Sequence, residues 1–217
     1  MVRDAAVLSA FGIGPDGRRR ILGVSVALSE AEIHWRAFLE DLVARGMRGV
    51  QFVTSDDHAG LETARKAVLG GAVWQRCQFH LAQNAIHHAA TTAIRKRIGG
   101  QLREIWNAKN LAGAEAELKS LVEAYRNKAP DLAARLEAAI PEGLAVFTLP
   151  EHHRKRMRTS NPIERAVQQE LERRTVKVRV FPNNTSLLRL VTAVLVEIDE
   201  TWQASTQPYI NWNTPDA

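Results

Sequence analysis

The spacing of apolar positions changes character several times along the chain. From Ala5 to Ile13 the run Ala-Ala-Val-Leu-Ser-Ala-Phe-Gly-Ile reads as a strand, and Gly14-Pro15-Asp16-Gly17 supplies turn residues. From Ile21 to Leu28, Leu22, Val24, Val26 and Leu28 alternate with the small residues Gly23, Ser25 and Ala27, which predicts an antiparallel hairpin. Ser29 and Glu32 have capping-box spacing. Trp35, Phe38, Leu39 and Leu42 follow at i, i+3, i+4 and i+7, so a helix is expected to about Arg45, stopped by Gly46.

Val50 to Thr54 is a short, nearly continuous apolar run of the kind buried in parallel sheets, broken by Ser55-Asp56-Asp57-His58. Leu61, Ala64 and Val68 then give helical spacing up to Gly70-Gly71, and Val73 to Cys77 reads as another strand. Together these elements predict an α/β sheet with an antiparallel part. From His80 to about Ile140 the signal is helical and alanine-rich. Leu118, Leu121, Val122 and Tyr125 form one stripe and Leu132, Leu136 and Ile140 another, divided at Ala129-Pro130. Pro141 to Pro150 reads as a connector. Asn161-Pro162 supplies an N-cap and a first-turn proline for a helix carrying Ile163, Val167 and Leu171. After Phe181-Pro182-Asn183-Asn184, the residues Leu187, Val191, Val194, Leu195, Ile198 and Trp202 define a last amphipathic helix.

Length and composition narrow the function classes. At 217 residues, 45% hydrophobic and 24% charged, the chain is long enough for a real core in one domain or at most two. Cys77 is the single cysteine, which excludes an intramolecular disulfide. No apolar run approaches the roughly 20 residues that span a bilayer, and Met1-Val2-Arg3-Asp4 opens no signal-peptide core. A cytoplasmic protein with no membrane partner is expected.

The formal charge of +5 is concentrated in one place. Between Glu151 and Val180 stand nine Lys/Arg and four Glu, which accounts for the whole excess. Such a segment is either a solvated helix face or a polyanion contact, since phosphate binding gains from counterion release. His152-His153-Arg154-Lys155-Arg156 and Arg173-Arg174 are its densest tracts, and the candidate phosphate contacts are Arg154, Lys155, Arg158, Arg165, Arg173, Arg174 and Lys177.

Two acids stand out. Asp56 follows a predicted buried strand, where α/β sheets open their ligand crevice; it reads either as a turn former or as a hard-oxygen ligand for a divalent metal. Asp57 is the alternative to Asp56. Glu164 lies in the first turn of a helix inside the basic segment, where it either complements the helix dipole or binds metal. Cys77 and His80 form a lone Cys-x-x-His; zinc would need further ligands, His87 or His88 among them. Trp74 reads as core or as a platform for a base.

Several stretches resemble the signature blocks of mutator-type insertion-sequence transposases. They are Val53-Thr54-Ser55-Asp56-Asp57-His58-Ala59-Gly60-Leu61, Trp74-Gln75-Arg76-Cys77-Gln78-Phe79-His80, Thr159-Ser160-Asn161-Pro162-Ile163-Glu164-Arg165, and Arg173-Arg174 with Val180-Phe181-Pro182-Asn183. Asp16-Gly17-Arg18-Arg19-Arg20-Ile21-Leu22-Gly23 with Trp35-Arg36-Ala37-Phe38-Leu39 is similar as well, and the blocks follow the family's order from about Ala5 to Trp202. The sequence departs from the family pattern at Ala166-Val167, where Leu-Asn usually follows the Glu-Arg pair.

The resemblance implies a ribonuclease-H-like mixed sheet, its first strand missing, with a helical insertion. Residues 1–80 would form the opening part of the catalytic domain, 81–150 the insertion and 151–217 the completing helices. It implies DNA cleavage and strand transfer by a triad of acids with Mg²⁺ or Mn²⁺, Asp56 being the second acid and Glu164 the third. His58, Trp74, Cys77 and His80 would lie near the substrate. The first acid belongs upstream of the hairpin; Asp4 and Asp16 do not match its motif, so the expectation is an N-terminally truncated copy with little activity alone. DNA, as terminal inverted repeats and target, would be the partner of a homo-oligomer in the bacterial cytoplasm, at the nucleoid when DNA-bound. The alternatives are a non-catalytic DNA-binding remnant and an unrelated ribonuclease-H-like nuclease.

Overall fold

A computed structural model describes residues 5–89, 91–175 and 181–213. The fold is mixed α/β. Strands β1 (Ala6–Ile13) and β2 (Arg19–Ala27) form the expected antiparallel hairpin. Its turn closes with Gly17 at φ 73°, a conformation that favours glycine, and the Asp16 carboxylate accepts from the Arg18 amide at 3.1 Å. Helix α1 spans Glu32–Ala44 and ends at Gly46, whose φ of 105° turns the chain out of the helix.

Strand β3 (Phe52–Ser55), helix α2 (Ala59–Val68) and strand β4 (Val73–Arg76) follow, with β3 and β4 parallel. Helices α3 (Gln78–His87), α4 (Thr92–Trp106), α5 (Leu111–Arg126) and α6 (Pro130–Ala139) come next. Two short 3₁₀ turns, Ile140–Gly143 and Ala145–Thr148, lead to α7 (Glu151–Met157), α8 (Asn161–Thr175) and α9 (Asn184–Gln203). Among the described residues no helix is long and apolar enough to cross a membrane.

Four expectations are corrected. The strands form two separate two-stranded sheets among the described residues, β1–β2 and β3–β4, because no described strand hydrogen-bonds to both β1 and β3. The capping box does not close: Ser29 accepts from the Ala31 amide at 3.4 Å, α1 starts at Glu32, and Glu32 pairs with Arg36 instead. Pro141 to Pro150 is no loose connector, since Leu144, Val146 and Phe147 are buried in the helical core. Helix α8 already includes Asn161, and the Ser160 carbonyl accepts from the Glu164 amide at 3.1 Å.

The hairpin's two faces also differ from simple alternation. The register shifts between Ala10 and Phe11, leaving Leu22 as the extra residue of a bulge. Ala6, Leu8, Ala10, Leu22 and Ala27 therefore pack on α1 and α2, while Phe11, Ile21 and Val24 pack on Val191 and Leu195 of α9. The small residues of β2 face α1: a Cβ at Gly23 would lie 2.8 Å from Leu42, so glycine allows the close approach of helix and strand.

The helical core is the larger one. Ile98, Leu102 and Ile105 of α4 meet Leu118, Leu121 and Tyr125 of α5 and Leu132 and Leu136 of α6. It is tied to β4 by Gln75, which is 0% exposed. Its side-chain amide donates to the Gly143 carbonyl at 2.8 Å and its oxygen accepts from the Val146 amide at 2.6 Å.

Candidate active site

The C-terminal ends of β3 and β4 meet the link between α7 and α8. Thr54 donates its hydroxyl to the Met157 carbonyl at 2.6 Å, and the Gln78 amide donates to the Arg158 carbonyl at 3.0 Å. These bonds pin residues 157–158 across both strand ends. The chain then runs through Thr159 and Ser160 directly into α8, so Glu164 in its first turn arrives beside the sheet.

At that junction Cys77 is buried, its sulfur 3.1 Å from the Thr159 hydroxyl. Burial pushes the Cys77 thiol up, but hydrogen bonds involving His80, Ser160 and Thr159 outweigh it and draw the thiol down to about 6. His80 is shifted the opposite way. Its hydrogen bond with Cys77 raises it, burial opposes, and the charges of Glu164 and Asp56 add to the rise. The Glu164 carboxylate lies 3.6 Å from His80 Nε2. Asp56, Cys77, His80 and Glu164 thus form one electrostatic cluster built from β3, the β4–α3 junction and α8.

Asp57 is occupied differently. Arg76, 7% exposed, binds its carboxylate at 2.9 Å and that of Glu142 at 2.7 Å, so Asp57 helps fasten β4 to the first 3₁₀ turn. Asp56 has no ion pair of that kind among the described residues. His58 lies 3.4 Å from the Glu30 carboxylate. Trp74 donates its indole N–H to the Ser55 hydroxyl at 3.0 Å and carries the Arg65 guanidinium 5.2 Å above its ring. Neither His58 nor Trp74 is bonded to the Cys77–His80–Glu164 group.

Residues 1–205 match the model of the family described as Transposase, Mutator family. The chain belongs to this family. It is 50% identical over 210 residues to the transposase for insertion sequence element IS406 of Burkholderia multivorans, covering 97% of this chain and 54% of that protein. It is 40% identical over 215 residues to the transposase for insertion sequence element ISRM5 of Rhizobium meliloti, covering 97% and 52%. With the transposase for insertion sequence element IS256 in transposon Tn4001 of Staphylococcus aureus it shares 33% over 210 residues, covering 94% and 52%. The chain spans about half the length of these curated relatives.

The cations of the 151–180 segment are engaged to different degrees. Arg154 donates to the Leu149 and Lys109 carbonyls at 2.9 Å each, and Arg158 to the Asn107 side chain at 2.9 Å and the Trp106 carbonyl at 3.2 Å. Both guanidiniums hold α7 to the α4–α5 turn. Arg173 and Arg174 pair with Glu170, whose carboxyl their hydrogen bonds draw down to about 2, and Arg174 also reaches Glu197. Lys155 and Arg165 are exposed. Lys177 lies outside the described residues.

The partners of Cys77 were not legible beforehand. Thr159 and Ser160 carry no motif of their own in that role, and the signal that points to them is their place just ahead of the Glu164 helix. The bonding of Gln75 and Arg76 has a signal as well, since two long polar side chains at the end of an apolar strand indicate buried bonding.

Proposed function

We propose that this chain takes part in DNA cleavage and strand transfer by a mutator-family transposase, with Asp56 and Glu164 as carboxylates for a divalent metal. One observation carries the reading: two acids 108 positions apart in the sequence both act on the His80 imidazole. That Arg76 engages Asp57 and leaves Asp56 without such a partner favours Asp56. In this reading the two sheets belong to a ribonuclease-H-like domain and the helices of 81–150 are inserted between the acids.

The donor chemistry fits Mg²⁺ or Mn²⁺, which prefer carboxylate oxygen; Cys77, a soft donor, does not suit them. In the two-metal scheme proposed, one bound ion would activate the attacking water or 3′-hydroxyl and the other would stabilise the leaving oxygen. The chain's own residues do the rest. His80, raised above its ordinary value, holds a proton more readily beside the Glu164 carboxylate, 3.6 Å from its Nε2. The contact of Cys77 with Thr159 ties the start of α3 to the residues just ahead of α8. Lys155 and Arg165 supply exposed positive charge for the phosphate backbone. The proposed partners are element ends and target DNA, joined by a homo-oligomer acting in the bacterial cytoplasm.

The test is Mn²⁺ titration of the full chain and of its Asp56→Asn and Glu164→Gln variants. Each substitution should weaken binding about tenfold or more, in line with the loss of one charged ligand. Unchanged affinity in both variants refutes the assignment. A second reading, DNA binding without catalysis, is favoured by a specific finding: among the described residues no group of three or more His, Cys, Asp or Glu is placed to hold a metal. It predicts DNA binding that survives chelation in a protein with no measurable Mn²⁺ affinity.

A further inference from the structure

Most arginines of the basic tracts are engaged, although Lys155 and Arg165 stay exposed. Arg154 and Arg158 are committed to main-chain and amide oxygens, and Arg173 and Arg174 to Glu170 and Glu197. On α4 the situation is reversed. Lys96, Arg97 and Arg103 are exposed and form no ion pair among the described residues, whereas Arg95 donates to the Ala89 carbonyl. The first turn of α4 holds no acid, and Glu104 is the one acid in the helix.

Their placement follows from helix geometry. Ile98, Leu102 and Ile105, all 0% exposed, fix the buried stripe. At about 100° per residue, Lys96, Gly100 and Arg103 fall opposite it, with Arg97 and the exposed Glu104 beside them. Lys96 and Arg103 are seven residues apart, about 10 Å along the axis. Between them the helix is bare: a Cβ at Gly100 would meet nothing within 4 Å, and at Gly99 only Ile86 at 3.5 Å. Packing does not require Gly100, and glycine weakens a helix. Two cations flanking a helix surface stripped of side chains let a polyanionic backbone approach closely. Arg97 extends the surface into a groove of about 210 Å³, whose opposite wall carries Lys128 from the α5–α6 turn.

We propose that this outer face of α4 is a contact surface for the phosphate backbone of duplex DNA, separate from the carboxylate cluster. The inference rests on the reading of the chain as DNA-acting but not on its metal ligands. Phosphate is the fitting partner because the surface offers unpaired positive charge and open space, and such contacts position DNA without reading its sequence.

The experiment measures binding of the full chain to a random-sequence DNA duplex by fluorescence anisotropy in EDTA, between about 50 and 200 mM salt. The combined K96Q, R97Q and R103Q variant should bind more weakly, and its slope of log K against log salt should be shallower by about 2 to 3, near 0.9 per lost contact. K96Q and R103Q singly should each remove about one unit of slope. Combined R173Q and R174Q should remove less than the α4 triple. These side chains are exposed, and superimposable thermal melts check that the fold is intact. Equal curves for wild type and the α4 triple, including no binding by either, overturn the proposal, as does a larger loss from the α8 pair. Because metal is absent throughout, these outcomes are independent of the Mn²⁺ test of Asp56 and Glu164.

Discussion

The helical segment and the strand half solve the problem of burial in different ways. In α4, α5 and α6 each helix buries a full stripe against its sequence neighbours, and Ile98, Leu102 and Ile105 lose all exposure. The strands are less covered: β3 has no fully buried residue, and β1 buries only Leu8. Beyond the hairpin face packed on α1 and α2, their cover comes from far along the chain, α9 lying on the other face of the hairpin and the α7–α8 link on the ends of β3 and β4. A helix completes its own backbone bonding and needs only a neighbour for one face; a two-stranded sheet depends on distant elements. The candidate site lies on the half that depends on distant elements, where small rearrangements cost least.

The strongest test of this contrast removes equivalent volume from each half. Leu102→Ala should cost about 3 kcal/mol in chemical denaturation, because the packed helical core has little room to collapse around the void. Leu8→Ala should cost about 2 kcal/mol, its layer being better able to close. Equal losses would erase the distinction.

The connection between the halves is the next target. Gln75→Leu strips the partner from the Val146 amide, while the Gly143 carbonyl keeps the bond it accepts from the Gln78 side chain, and should cost about 2 kcal/mol for the buried donor left unpaired. Amide exchange should then speed up in residues 140–147 before it does in α5. Uniform exchange would mean that the halves are not coupled through this side chain.

The pH response sharpens the comparison at the site. Cys77 titrates near 6 in the folded chain, below its ordinary 9.0, so its contribution is full above about 9 and is lost as pH falls through about 6. His80 is raised above 6.5, so its contribution is full below that value and is lost as pH rises through its folded value. The two oppose each other from about 6.5 up to the folded value of His80. Thiolate absorbance should show a native midpoint near 6 that climbs in His80→Gln and reaches about 9 on unfolding. A native midpoint at about 9 would break the pair.

The smallest expected effect is a gain. Gly100→Ala, with nothing within 4 Å of the new methyl, should stabilise the helical half by about 0.5 to 1 kcal/mol in thermal or chemical unfolding. A loss would show that the α4 surface is already occupied.

Much of the local structure was legible in single residues. Gly46 stops α1, Pro130 opens α6, and Asn183 caps α9 by accepting from the Ser186 amide at 2.9 Å, each through a backbone preference that acts within one turn. The Ser29–Glu32 spacing misled because the chain leaving β2 sets where α1 begins, and Gly60 packs under that entry, where a Cβ would lie 2.4 Å from the Glu30 carbonyl. The faces of β2 misled because a bulge at Leu22 breaks the two-residue period. Of the candidate site, the identities of Asp56, Cys77, His80 and Glu164 were readable, while the engagement of Asp57 by Arg76 was not.

By itself the sequence determined the hairpin, the helix stripes, the excess of positive charge and the family to which the chain belongs, since propensity, periodicity and motif order act over short stretches. Only the tertiary structure decided which charges are free. It joined Glu164 to His80, assigned Arg76 to Asp57, consumed Arg154 and Arg158 in carbonyl bonds and left Lys96, Arg97 and Arg103 facing solvent. The reason is physical: electrostatic partnership depends on distance in space, which residues remote in sequence acquire only when the chain has folded.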